Sequence, residues 1–321
     1  MEPLSLFTAG LLSIASMLFL GFADDVLNLK WRHKVLLPAM AALPLLMLYR
    51  VSGGGTSVVV PGVGALLGRR VLDIGALYYV FMAGVAVFCT HSINILAGVN
   101  GVEVGQSVVI GCAVLVHNAL CVWEGGGESR DVTYHYFSML LLLPFVTGSA
   151  ALLRYNWHPA RVFVGDTYCY FAGMTLAVAG ILGHFSKTLL LFFAPQLVNF
   201  ALSVPQLCGV LPCPRHRLPR LDAGTGALCA REFVVEGWSG RRGMVRVVVG
   251  VVRGLGLGVV REERGEDRLV CTNLTLLTLL LVRGGPVPEA QLARRFLAVQ
   301  AGACVMGLLV RHVLAPLLYG Q

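Results

Sequence analysis

Polar residues along this chain gather into short clusters between long apolar runs. A helix that crosses a bilayer needs about 20 mostly apolar residues. Eight stretches meet that pattern, at roughly 4–23, 35–50, 73–90, 102–122, 134–153, 167–184, 188–210 and 293–317. A further apolar run, 244–260, would carry Arg246 and Arg253 near its centre. Each mid-helix arginine costs about 2.5–3.5 kcal/mol on insertion, so this run is expected outside the membrane. The first run carries Glu2 as its only early charge. It lacks the basic start of a cleaved leader and is too long for one, so it is expected to remain as a helix.

The alternation of runs and clusters gives the chain a sidedness. The connections Asp24–Lys34, Ile93–Glu103, Arg154–Asp166 and Leu211–Leu292 follow the first, third, fifth and seventh runs. Two crossings separate each from the next, so all four belong on one side. The opposite side receives Val51–Leu72, Trp123–Thr133 and the turn near Ser186, which are glycine-rich or short. The expected fold is an all-α polytopic membrane protein of about eight spans. It divides into a seven-span core over 1–210, a loop with a small α/β insert over 211–292, and a final helix within 293–321. In the insert, "PRLDAGTGALCAREFVVE" alternates around a glycine-rich turn and predicts a hairpin. "MVRVVVGVV" fits strand or helix. "GLGLG" lacks the spacing and acidic partner of a nucleotide-binding loop.

Composition agrees with a membrane class: 56% of residues are apolar and 13% charged, where soluble domains carry about 25% charged residues. The nine cysteines stand singly, with no C-x-x-C pair, so buried thiols are expected rather than a zinc site or a disulfide framework. Net charge is +8, and 19 of the 25 basic residues fall on the side of the four polar connections. The positive-inside rule then makes that face cytosolic, where the triplet Asn273–Thr275 would escape glycosylation.

Four clusters on that face carry candidate chemistry. "GFADDVLNLKWRHK" sets Asp24 and Asp25 side by side at a span end, followed by Lys34. Adjacent helical residues point in different directions, which suits two separate roles. "INILAGVNGVEVGQS" places Asn94, Asn100, Glu103 and Gln106 among glycines. "RVFVGDTYCYF" starts a span with Asp166 and offers the ring of Phe163 three residues earlier. "CPRHRLPRL" flanks His216 with Arg215 and Arg217, and guanidinium groups bind phosphate bidentately. Each cluster alone also fits a helix cap, a polar loop or a headgroup anchor. Together they suggest a site for a hard cation and a diphosphate, since magnesium is held by one or two carboxylates plus substrate phosphates.

These motifs resemble those of the polyprenyl-phosphate phosphosugar transferases, in the eukaryotic branch that moves GlcNAc-1-phosphate from UDP-GlcNAc to dolichyl phosphate. The similarity runs from about Leu11 to Leu221 and more weakly beyond. It implies an enzyme of the endoplasmic reticulum membrane, with Mg2+ as cofactor, giving GlcNAc-diphosphodolichol and UMP in the first step of N-glycan precursor synthesis. It places Asn94 and Asp166 at the metal and Asp24 and Asp25 at the paired catalytic acids. Phe163 and Asn100 match uracil contacts, Arg215 a diphosphate contact, His216 and Arg217 the sugar loop, and Lys34 a basic residue near the phosphates. Membrane lipid is an expected partner, nucleic acid is not, and a homodimer stays open.

The chain departs from the family at His91, where asparagine is usual. The family's ten spans would also place two further helices upstream of the first run. Two alternatives therefore stand beside the main expectation: an impaired paralogue acting as a binding subunit, and a related transferase using another UDP-sugar. A transporter would place its ionisable groups near mid-membrane. Here they lie at span ends.

Overall fold

The computed structural model describes residues 2–29, 31–52, 54–59, 71–125, 130–214, 217–238, 240, 243–263 and 267–319. Helices α1 (Glu2–Leu27) and α2 (Trp31–Val51) come first, then a short antiparallel pair, β1 (Ser57–Val59) with β2 (Val71–Asp73). Helices α3 (Ala76–Ile95), α4 (Val102–Glu124), α5 (Arg130–Asn156) and α6 (Gly165–Leu182) follow. Two shorter helices, α7 (Ser186–Phe192) and α8 (Ala194–Leu207), meet at a bend of 73°.

Among the described residues, five helices are long and apolar enough to cross a membrane, and the bent α7–α8 pair would make a sixth. The protein is thus a multi-pass helical membrane protein. Of the remaining expected spans, 35–50 falls on α2, whose apolar part is the shorter Leu36–Val51, and 167–184 on α6. The third span begins at Ala76 rather than at 73, because Val71–Asp73 pairs as a strand and Asp73 accepts the Gly75 N–H just before the helix.

Helix α6 is buried along almost its whole length, with α1 and α3 packed against it. Its small and aliphatic residues, among them Ala172, Ala177, Val178 and Ala179, make it the axis of the main core. Where helices break inside such a core, backbone groups need internal partners. At the α7–α8 bend, Gln300 donates to the Phe192 carbonyl at 2.8 Å. Gln196, just past the bend, donates to Gln106 and Gln300 at 2.8 and 2.7 Å, tying α8 to α4 and to the last long helix.

The segment after α8 folds outside this core. The strands β3 (Arg220–Leu221) and β4 (Leu228–Cys229) form the expected hairpin. An antiparallel sheet joins β5 (Glu232–Glu236), β7 (Arg268–Thr272) and β6 (Val260–Glu262), in that order. The ambiguous "MVRVVVGVV" is helical, as α9 (Met244–Gly254), and buries Val249 and Val252 with Phe233, Val235 and Leu269 of the sheet. Its 11 residues span about 16 Å at 1.5 Å each, too short to cross a bilayer. Helix α10 (Leu276–Gly284) then leads to α11 (Glu289–Leu309), which continues through a π-helical turn, Val310–Leu314, into α12 (Ala315–Tyr319).

Candidate active site

Four polar side chains, each from a different helix, meet at one end of the bundle. Lys34 Nζ lies 2.8 Å from Asp24 Oδ2 and 3.6 Å from Asp166 Oδ2. Asn94 Nδ2 donates to Asp166 Oδ1 at 2.9 Å. Asp24 is only 3% exposed, and a buried carboxylate needs partners on both oxygens. It has them: the Leu29 N–H donates to Oδ1 at 3.0 Å and the Tyr170 hydroxyl to Oδ2 at 2.8 Å. Asn28, at φ 49°, turns the chain so that Leu29 faces back to the carboxylate. Asparagine tolerates that left-handed conformation better than most residues.

Asp25 points elsewhere. Its two oxygens accept the Asp166 and Thr167 N–H groups at 2.8 and 2.9 Å, and the Thr167 hydroxyl at 2.5 Å. A carboxylate from α1 therefore caps the free N–H groups at the start of α6, where the helix dipole also favours negative charge. Two glycines make room for this. Gly165 has φ 63°, and a Cβ there would lie 2.5 Å from Asp25 Oδ2. A Cβ on Gly21 would lie 2.6 Å from the Thr167 Cα. His91 stands behind the site: its Nε2 pairs with the Lys34 carbonyl at 2.9 Å, and its ring meets Tyr170 edge-on.

Beside this network opens a cleft of about 430 Å³, walled by Asn94, Gly98, Glu103, Phe163, Asp166 and Arg217 among others. Phe163 stands on it 83% exposed, a free aromatic face. Arg217 is half-buried, and loss of water holds its pKa below the usual guanidinium value. Its Nη1 is buried with no hydrogen-bond partner among the described residues, as suits a group that receives an anion. Glu103 is buried too; Oε1 accepts the Gly98 N–H at 2.6 Å, while Oε2 has no partner among the described residues.

Of the residues singled out in the sequence, Asp24, Lys34, Asn94 and Asp166 touch one another directly, and Asp25 touches the start of α6. Phe163 and Arg217 line the same cleft. Asn100 does not line it: its N–H is bound to Glu289 Oε1 at 2.7 Å, one strut of a loop also held by Asn156. Arg215 and His216 lie outside the described residues. Tyr170 was missed because an isolated tyrosine in an apolar run reads as core. Its signal is the spacing of four from Asp166, which places both on one helix face.

Apolar helices carry a lysine-bridged pair of carboxylates beside a cleft lined by a half-buried arginine, an arrangement suited to phosphate esters at a membrane. The chain belongs to glycosyl transferase family 4, whose family model matches residues 7–184. It is 46% identical over 324 residues to the UDP-N-acetylglucosamine--dolichyl-phosphate N-acetylglucosaminephosphotransferase of Schizosaccharomyces pombe, covering all of this chain and 72% of that protein. The Saccharomyces cerevisiae protein of the same name is 43% identical, with 100% of this chain and 71% of that protein covered. A phospho-N-acetylmuramoyl-pentapeptide-transferase of Caldanaerobacter subterraneus is 31% identical over 51% of this chain and 48% of its own length.

Proposed function

We propose that the chain transfers GlcNAc-1-phosphate from UDP-GlcNAc to dolichyl phosphate, at the cytosolic face of the endoplasmic reticulum membrane. The observation that carries this reading is the Asp24–Lys34–Asp166–Asn94 network at one end of four helices, opening onto a cleft lined by the half-buried Arg217 guanidinium. The names of the eukaryotic relatives support the two substrates. In the reaction, an oxygen of the lipid phosphate bonds to the β-phosphorus of UDP-GlcNAc. The bond from that phosphorus to the bridging oxygen breaks, and UMP leaves with the electron pair.

Asn94 and Asp166 would hold a magnesium ion through an amide and a carboxylate oxygen, the Asn94 amide turning its oxygen to where Nδ2 now donates to Asp166, with room for phosphates in the adjoining cleft. Bound there, the ion would neutralise charge on the diphosphate. Arg217 would hold a phosphate through Nη1, and Phe163 offers a face for the uracil. Lys34, shared between two carboxylates, is placed to turn toward the incoming phosphates. Asp24 orients the lipid phosphate or takes its remaining proton once Lys34 has moved. A phosphate monoester with a second pKa of about 6 is already mostly dianionic at neutral pH, so direct displacement requires no strong base.

The test is UMP release and lipid-linked GlcNAc formation by the purified protein with UDP-GlcNAc, dolichyl phosphate and Mg2+. Product is expected with magnesium and none after chelation. Asp166→Asn should lower turnover by about 10²–10³, the scale for losing one preorganised charge contact. Folded protein that binds UDP-GlcNAc but releases no UMP would favour the binding-subunit alternative.

A further inference from the structure

At the other end of the bundle, α4 finishes with His117 and Cys121, four residues apart on one helix face. Cys121 lies about 27 Å along the helix from Glu103, at 1.5 Å per residue. His117 is completely buried and Cys121 partly so. The end of the chain delivers His312 to them from 195 residues beyond His117, with Nε2 of His312 2.8 Å from Nδ1 of His117. Cys121 Sγ is 3.8 Å from both ring nitrogens of His117. One donor atom from each of the three residues falls within 4.8 Å of the others. His312 sits in the π-helical turn Val310–Leu314. Such turns are rare and concentrate at functional sites. The other ring nitrogen of His312 faces Glu124 Oε1 at 3.2 Å.

We propose that His117, Cys121 and His312 bind a divalent transition ion of the zinc class, with Glu124 orienting His312. Two imidazoles and a thiolate select such an ion over magnesium, which prefers oxygen. A carboxylate on the far nitrogen of a ligating histidine is the usual support that fixes its tautomer. The ion's two positive charges would be matched by the Cys121 thiolate and the Glu124 carboxylate, with both imidazoles neutral, while Arg311 stands close enough to act on His117 and Cys121 as a further positive charge. On binding, the Cys121 thiol proton passes to solvent and no electron is transferred. Tetrahedral bonds of about 2.0–2.1 Å to nitrogen and 2.3 Å to sulfur set N···N near 3.3 Å and N···S near 3.6 Å. The nitrogens must part by about half an ångström from their present 2.8 Å, and the sulfur close by about 0.2 Å from 3.8 Å. The Cys121 sulfur and the His312 donor, within 4.8 Å of each other, must close by up to about 1.2 Å. Sequence spacing hides this site, since its third ligand comes from the last helix.

The experiment uses Co2+ as a coloured probe on chelator-stripped protein in lipid nanodiscs, with excess Mg2+ to fill oxygen sites. One Co2+ per chain is expected, with visible bands of tetrahedral cobalt and a near-ultraviolet thiolate-to-cobalt band, both displaced by one equivalent of Zn2+. Cys121→Ser should remove the thiolate band and keep weaker visible ones. Glu124→Gln should weaken affinity about 10–100-fold, as for other outer carboxylates. Asp166→Asn should leave the spectrum unchanged. Folded wild-type protein that stays colourless overturns the proposal. So does a spectrum that survives Cys121→Ser combined with His312→Gln, or one lost in Asp166→Asn.

Discussion

Lys34 touches both Asp24 and Asp166, and the consequences of removing it separate stability from catalysis. Lys34→Gln leaves a buried Asp24 charge beside Asp166, with Tyr170 and Leu29 as its remaining donors among the described residues. Breaking a buried pair costs about 3–5 kcal/mol when nothing else holds the charge; with two hydrogen bonds left, about 1–3 kcal/mol is expected. Adding Asp24→Asn should recover part of that loss, because no unpaired charge remains, while activity stays low. Thermal unfolding and UMP release on the two single variants and the double variant read both effects. Simply additive stability losses would mean that the ion pair does not couple the two residues. At this scale the sequence was informative for acids and amides at span ends, which stand out against lipid-facing residues. It was silent on Tyr170 and on the tethering of Asn100, because both depend on which distant helix lies alongside.

At the scale of elements, the start of α6 is held by a carboxylate from α1. Asp25→Ala removes both of its acceptors and should cost about 0.5–2 kcal/mol, as for a lost helix cap. Gly165→Ala combines a left-handed backbone, about 1–2 kcal/mol for a residue with a Cβ, with a clash against Asp25. Its effect should shrink when Asp25 is already alanine, and denaturation in detergent of the pair and the double variant checks this. Equal losses in both backgrounds would show that the contact between Gly165 and Asp25 carries none of the cost. Hydropathy located helices at all eight expected stretches. It could not show that 188–210 breaks at Phe193 with a 73° bend. The partner of the freed Phe192 carbonyl is Gln300, and no local pattern announces that match. The helix α9 stayed ambiguous because its apolar residues fit both periods, and packing on the β5–β7–β6 sheet decided it.

For the whole molecule, the site, the loop after α8 and the insert all gather at one end of the bundle, and the proposed orientation makes that end cytosolic. In sealed microsomes a membrane-impermeant maleimide should therefore reach the exposed Cys213 without permeabilisation, and Cys213→Ser should reduce the labelling. Labelling only after permeabilisation would reverse the orientation. Asn273 is fully buried and accepts from Gln206, so the triplet Asn273–Thr275 should carry no glycan whichever side it faces. Unchanged mobility after glycosidase treatment checks this. The contact of Asp25 with Asp166 bridges 141 residues of chain, and this distance also has a meaning in time. At about 5–20 residues per second, a ribosome needs roughly 7–28 s after making the paired aspartates to supply the helix that receives them. Asp24 meets the Leu29 N–H and Lys34 within ten residues, but Asp25 must stay hydrated at the bilayer surface through that interval. One of the first residues of the site to be synthesised thus waits for the sixth helix, and the site closes only after most of the bundle has been inserted.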